Sequence, residues 1–200
     1  MSDDPGRRER KKQATRQALV TAAVRLFTER GYDNTGVTDI TDLADVSKRT
    51  FFLHFPTKED VLLADSEARA VLAVEAVAGH ATPRESLAAA AARMIADTAA
   101  GDLPSGLAAL RAQLVVTTPA VQARVLHVTF QAQTRISAAL LAAHPGEFDE
   151  VTASAAVGAL VGAISAAAVT SLARGDSPDA TLAAMRTATD VALRCVTPGS

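Results

Sequence analysis

Apolar residues recur at three- and four-residue intervals along nearly all of this chain, and glycine or proline stands at the breaks. That pattern confines the fold to packed α-helices, because a half-buried strand would alternate with a period of two. Leu19, Ala22, Ala23, Leu26 and Phe27 mark one face of a first helix, about Arg10 to Arg30, which Gly31 ends. Val37, Ile40, Leu43 and Ala44 define a short second helix, and Ser47 is placed to cap a third over Lys48 to His54. Pro56 ends that one, since the residue before a proline is pushed out of helical geometry. Thr57 to Asp60 supply a cap and first-turn acids for a fourth helix reaching about Val77. Later glycines and prolines divide the remainder into helices at about 83–99, 105–117, 119–143, 147–174 and 178–196. Hairpin signals are missing and no repeat has a constant period, which argues against strands and against a solenoid. The expected fold is all-α, with about nine helices.

Composition divides the chain in two. The formal net charge of −2 argues against a polybasic nucleic-acid binder, but it averages unlike parts. Residues 1–60 hold 11 Lys+Arg against 10 acids, all four lysines, and five of the seven Phe and Tyr residues. Residues 61–200 hold no lysine and 39 of the 44 alanines. The expected organisation is a mobile basic arm over 1–12, a small helical domain over 13–60 and a larger helical domain over 61–200.

Other classes recede on the same reading. The start, MSDDPGRRERKK, is charged and lacks the apolar run of a secretory signal, so a cytoplasmic location is expected. Val151 to Ala173 is 23 residues without a formal charge, long enough to span a bilayer. Its residues are mostly Ala, Ser, Thr and Gly with no aromatic belt, which favours a buried small-residue helix over a membrane span. A single cysteine, Cys195, allows no internal disulfide and reads as a small apolar filler. His80, His127 and His144 have no second ligand at metal spacing, and no nucleophile motif is found. No catalytic activity, metal or cofactor is expected.

Val37 to Phe55 carries the function: two short helices joined by the turn Ala44-Asp45-Val46-Ser47. This is the helix-turn-helix arrangement, whose second helix is small enough for the major groove of DNA. Lys48, Arg49 and Thr50 open that helix, Lys and Arg suiting guanine acceptors and the Thr methyl suiting a thymine methyl. His54 and Lys58 follow beside the DNA backbone, and Arg7, Arg8, Arg10, Lys11 and Lys12 could add phosphate or minor-groove contacts. Phe27, Phe51, Phe52 and Phe55 are expected in the core of a three-helix domain.

Residues 14–64, ATRQALVTAAVRLFTERGYDNTGVTDITDLADVSKRTFFLHFPTKEDVLLA, resemble the DNA-binding domain of TetR-family transcriptional regulators. The resemblance rests on ordered motifs: LF-ER-GY ending helix one, V-DI-LA-VS through the turn, T-F-HF in the recognition helix, and P-K-E-L opening helix four. It implies an all-helical homodimer, usually a repressor, which binds operator DNA and releases it when a small molecule occupies the C-terminal domain. The DNA-binding set it implies is Thr38, Ser47, Lys48, Arg49, Thr50, His54 and Lys58. Three positions depart from the family pattern. Asp45 stands where the turn usually has glycine, Phe52 where tyrosine is common, and Gly36 where threonine is customary, which shifts the phosphate-contacting hydroxyl to Thr38.

Ala155, Gly158, Ala159, Gly162, Ala163, Ala166 and Ala167 form a small-residue stripe that must be covered in water. By resemblance, the last two helices form the homodimer interface, which would set two recognition helices about 34 Å apart on a near-palindrome. The resemblance also implies a sensor pocket within helices four to seven, for which Met94, Gln113, Thr117, His127, Phe130 and Gln131 are the candidates. With few aromatics beyond residue 60, a mostly apolar, non-stacking effector is expected. The alternative is a helical ligand- or protein-binding module of the same fold that does not bind DNA specifically.

Overall fold

The computed structural model describes residues 5–195, and among these there is no strand. The chain divides between Ala64 and Asp65 into two compact units.

The first unit contains α1 (Pro5–Arg30), α2 (Val37–Leu43), α3 (Lys48–His54) and a 3-10 turn over Glu59–Leu63. Its core is formed by Leu19 and Ala23 of α1, Ile40 of α2, Phe51 and Phe55 at α3, and Val61 and Leu62 of the 3-10 turn, all essentially inaccessible. Burying each large side chain stabilises the unit by about 1.5–3 kcal/mol relative to exposure. Phe27 and Tyr32 pack with ring centroids 5.2 Å apart. Gly31 ends α1 in left-handed geometry at φ 83°, its amide donating to the Phe27 carbonyl at 3.1 Å.

Two expectations about this unit change. The basic segment expected as an arm through residue 12 is helical from Pro5 onward, while residues 1–4 lie outside the described residues. A proline is preorganised for a helix's first turn, and the Arg, Glu, Lys and Gln residues after it are good helix formers. Helix four is not continuous from Asp60 to Val77. The 3-10 turn ends at Leu63, Asp65 departs to φ −102° and ψ 3°, and α4 begins only at Ser66 (Ser66–Val77). Arg16 donates to the Ala64 carbonyl, satisfying that acceptor away from a continuing helix.

The second unit continues with α5 (Pro83–Ala100), α6 (Leu107–Thr117), α7 (Pro119–Ala143), α8 (Glu150–Ala173) and α9 (Pro178–Cys195). Thr82 and Glu85 form a reciprocal capping box at α5, and the Asp149 carboxylate accepts from the Thr152 amide at 2.7 Å to start α8. The core joins Val77 of α4, Leu87 and Ala91 of α5, Ile136 and Leu140 of α7, Leu160 and Ile164 of α8, and Met185 and Leu193 of α9. Alanines fill many of the remaining contacts, letting the helices pack closely. Ser86 donates to the Val77 carbonyl at 2.7 Å and lies 2.8 Å from His144 Nε2. With its single proton so used, the hydroxyl accepts from the imidazole, fixing the proton on Nε2.

A buried ionic cluster ties α4, α5 and α6. Arg69 donates to Asp97 Oδ2 at 3.0 Å and to Asp102 Oδ2 at 2.9 Å, and Arg111 donates to the same Asp102 oxygen. Asp102 has no exposed surface. The guanidinium groups of Arg111 and Arg69 and their hydrogen bonds outweigh the opposing effect of burial and hold its carboxyl below the usual carboxylate range.

Helix α8 buries Ala153, Ala156, Val157, Leu160, Val161 and Ile164. Its small-residue stripe lies elsewhere: Ala155, Ala159, Gly162 and Ala166 are exposed, while Gly158, Ala163 and Ala167 are half-buried. Among the described residues this is the one helix long and apolar enough to cross a bilayer, with a mean hydropathy of 1.9. The side chain of Cys195, read as a core filler, lies outside the described residues.

Candidate nucleic-acid interface

The interface is built by α2, the turn after it and α3. The turn closes through the Val46 amide donating to the Thr41 carbonyl at 3.0 Å, with Asp45 at φ 52°. Asp45 is the non-glycine residue with positive φ among those described. A left-handed L-residue costs about 1–2 kcal/mol, less for aspartate, so Asp45→Gly is expected to raise stability by about 0.5–1 kcal/mol. Thermal unfolding of the full chain measures this, and an unchanged or lower midpoint would contradict it.

Ser47 caps α3, its hydroxyl oxygen accepting from the Thr50 amide at 3.1 Å and pairing with Thr50 Oγ1 at 2.9 Å. With the cap set, the helical period decides the two faces. Phe51 is fully buried and Phe55 nearly so, four residues apart, while Lys48, Arg49, Phe52 and Leu53 are exposed. Phe52, expected in the core, is therefore a surface residue: it follows Phe51 by one position, about 100° around the helix, and touches that ring only by its edge at 5.4 Å. Thr50 is half-buried with its hydroxyl engaged in the cap.

The remaining candidates occupy distinct settings. Thr38 is exposed in the first turn of α2, where the Asp39 carboxylate accepts from the Gly36 amide at 2.7 Å. His54 is half-buried, and burial, assisted by the charges of Arg16 and Lys12, lowers its pKa, so at neutral pH it presents a neutral ring. Lys58 is not a free surface cation: its ammonium donates to the carbonyls of Tyr32 at 3.0 Å and Thr35 at 3.1 Å and lies 3.7 Å from the Tyr32 ring centre. Tyr32 in turn donates to Glu59. Lys58 thus fastens the α1–α2 loop to the 3-10 turn. Sequence reasoning passed over Arg16, which donates to the His54 carbonyl at 3.1 Å and stacks 4.4 Å from the Phe55 ring centre. It satisfies a carbonyl at the end of α3, and nothing short of the fold reveals a partner 38 residues away.

In the second unit the structure does not gather the six pocket candidates. Met94 is half-buried against the core, whereas Gln113, Thr117, His127, Phe130 and Gln131 are exposed. The cause is the run of α7: from Gln122 to Arg135 no residue is buried, and the helix meets the core through Ile136, Ser137 and Leu140. An open cleft of about 500 Å³ lies instead between α5 and α9, lined by Ala88, Ala92, Ile95, Thr189 and Leu193, with Arg186 and Asp190 alongside.

The family model for bacterial regulatory proteins of the tetR family matches residues 19–64, which span α2, the turn and α3 together with the helix behind them. Residues 19–64 are thus similar to the TetR-family DNA-binding domain. Over 59 residues it is 46% identical to the HTH-type transcriptional regulator TcmR of Streptomyces glaucescens, covering 30% of this chain and 26% of that relative. The chain thus matches about a quarter of the length of that curated relative. A TetR-family transcriptional regulator from Syntrophomonas wolfei superposes with a TM-score of 0.63 at 18% identity, covering 94% of this chain and 99% of that one. Thermus thermophilus FadR, a TetR-family repressor in complex with lauroyl-CoA, superposes with a TM-score of 0.55 at 23% identity, covering 92% and 97%. At these identities the two structures establish a shared fold, which extends beyond the DNA-binding domain through the second unit.

Proposed function

We propose that this chain is a ligand-responsive DNA-binding transcriptional regulator, a repressor that binds a near-palindromic operator as a homodimer and is released by a small molecule. The observation that carries this reading is α3: a capped helix in a TetR-family domain that buries Phe51 and leaves Lys48 and Arg49 exposed. Arg49 and Lys48 suit guanine O6 and N7, and the Thr38 and Ser47 hydroxyls suit phosphates. Lys58 supports the site mainly by holding the loop before α2, and His54 as a neutral donor. The exposed small-residue stripe of α8 supports dimerisation through α8 and α9, because a second copy would cover it.

FadR with lauroyl-CoA supports a mostly apolar effector, and the α5–α9 cleft, apolar with an arginine beside it, is a better candidate site than the exposed residues of α6 and α7. An effector that binds better to a dimer whose two α3 helices are out of register lowers operator affinity by linkage. No catalytic step is assigned, and a soluble cytoplasmic protein fits this reading.

The test is a mobility shift with DNA flanking the protein's own gene at two salt concentrations, beside a mass measurement in solution. A dimer and a sequence-specific complex that weakens steeply with salt are expected. A folded dimer without a specific complex at low salt would favour a binding module of the same fold that does not read DNA. A monomer at micromolar concentration would remove the proposed interface.

A further inference from the structure

The outer face of α3 is not purely ionic. Leu53 is 74% exposed and Phe52 53% exposed, on a helix that buries Phe51 completely. Lys48 and Phe52 are four residues apart, as are Arg49 and Leu53, so the four side chains share one surface with cations toward the helix start and apolar groups one turn later. We infer that Leu53, with Phe52 beside it, reads thymine 5-methyl groups in the major groove. This rests on the operator-binding reading above and adds to it a base preference.

Leucine has neither donor nor acceptor, so it cannot pair with a phosphate or with the polar edge of a base. The apolar group on the floor of the major groove is the thymine methyl. Four residues of helix advance about 6 Å, roughly two base-pair steps beyond the bases that Arg49 reaches. Thr50, the other candidate for such a contact, is half-buried and its hydroxyl pairs with Ser47, whereas Leu53 is the more exposed apolar group. The adjoining Lys48 and Arg49 select the occupant: an apolar protein partner would have to desolvate two cations without compensation, whereas DNA offers phosphates and guanine acceptors beside its methyl groups.

The test begins with duplexes selected from a randomised pool by the full-length protein. Each thymine of the selected site is then replaced by deoxyuracil in both half-sites, which removes one methyl and leaves base pairing intact. At the positions read by Leu53 the wild-type protein should lose about fourfold in affinity per half-site, about fifteenfold for both, the worth of one buried methyl group. Leu53→Ala should bind the thymine and uracil duplexes alike there while retaining other preferences; being exposed, the position tolerates this change, with the thermal midpoint as control. Phe52→Leu, which keeps an apolar group against Phe51, should alter the same region. A wild-type protein indifferent to every thymine replacement, yet sequence-specific, would overturn the inference and leave the regulator reading standing. So would methyl sensitivity that survives both variants. Failure to select any sequence would instead defeat the operator-binding reading and the inference with it.

Discussion

Asp102→Ala is expected to destabilise the second unit by about 3–5 kcal/mol, the usual consequence of removing one member of a buried ionic cluster. That is a large share of the roughly 5–15 kcal/mol that holds a typical domain together. Asp102 Oδ2 receives both Arg69 and Arg111, while its Oδ1 is buried without a hydrogen-bond partner. Compensation for burying the carboxylate therefore rests on the two guanidinium groups, and removing it takes an anionic partner from both. Arg69 keeps Asp97, so the loss should concentrate on the loop between α5 and α6. Because the carboxyl is held below its ordinary range, its contribution is complete above the unfolded value near 3.8 and is lost as pH falls through the lower folded value. Asp102→Asn removes that charge at every pH. Denaturant unfolding at one fixed protein concentration should show the gap between wild type and Asp102→Asn narrowing as pH drops below about 4. A gap that stays constant into strong acid would mean that Asp102 is not stabilised as an anion.

Local chemistry was legible in the sequence, and long-range chemistry was not. The Ser47 cap, the α2–α3 turn and the end of α1 at Gly31 depend on residues within a few positions, and the structure has them where spacing put them. Phe52 was misplaced because three phenylalanines within five residues suggested one core, whereas Phe52 stands about 100° around α3 from the fully buried Phe51 and falls outside the arc this short helix buries. The engagement of Thr50 was recoverable, since a hydroxyl three positions after a Ser cap is within reach of it. The break between the 3-10 turn and α4 was not, because the Ala64 carbonyl is taken by Arg16, 48 residues earlier. That the pocket candidates are not gathered has a related cause. Apolar spacing along α7 identifies a helix, but which arc meets the core depends on where Ile136 and Leu140 are seated against α8 and the other helices. Alanine blurs that further, since an exposed alanine and a buried one leave the same mark on the pattern.

Arg49→Ala is expected to cost the proposed operator complex about 1–3 kcal/mol per half-site, because a bidentate arginine–guanine pair is lost from each recognition helix. With two copies of α3 engaged, the losses compound to about 2–6 kcal/mol, roughly thirtyfold to more than ten-thousandfold in affinity. The loss should be selective. Arg49 is the second residue of α3 and faces outward, so its removal should abolish preference at one guanine in each half-site and leave thymine-methyl sensitivity at the positions of Leu53. Stability should change little, since the side chain is exposed and takes no part in the Ser47 cap. Fluorescence anisotropy with the selected duplex and with duplexes altered at that base pair separates base reading from phosphate binding. If Arg49 reads a base, the variant binds all four base pairs there about equally. If it holds a phosphate instead, affinity falls alike for every duplex and the slope of log affinity against log salt drops by about one per half-site, which would move base reading to Lys48.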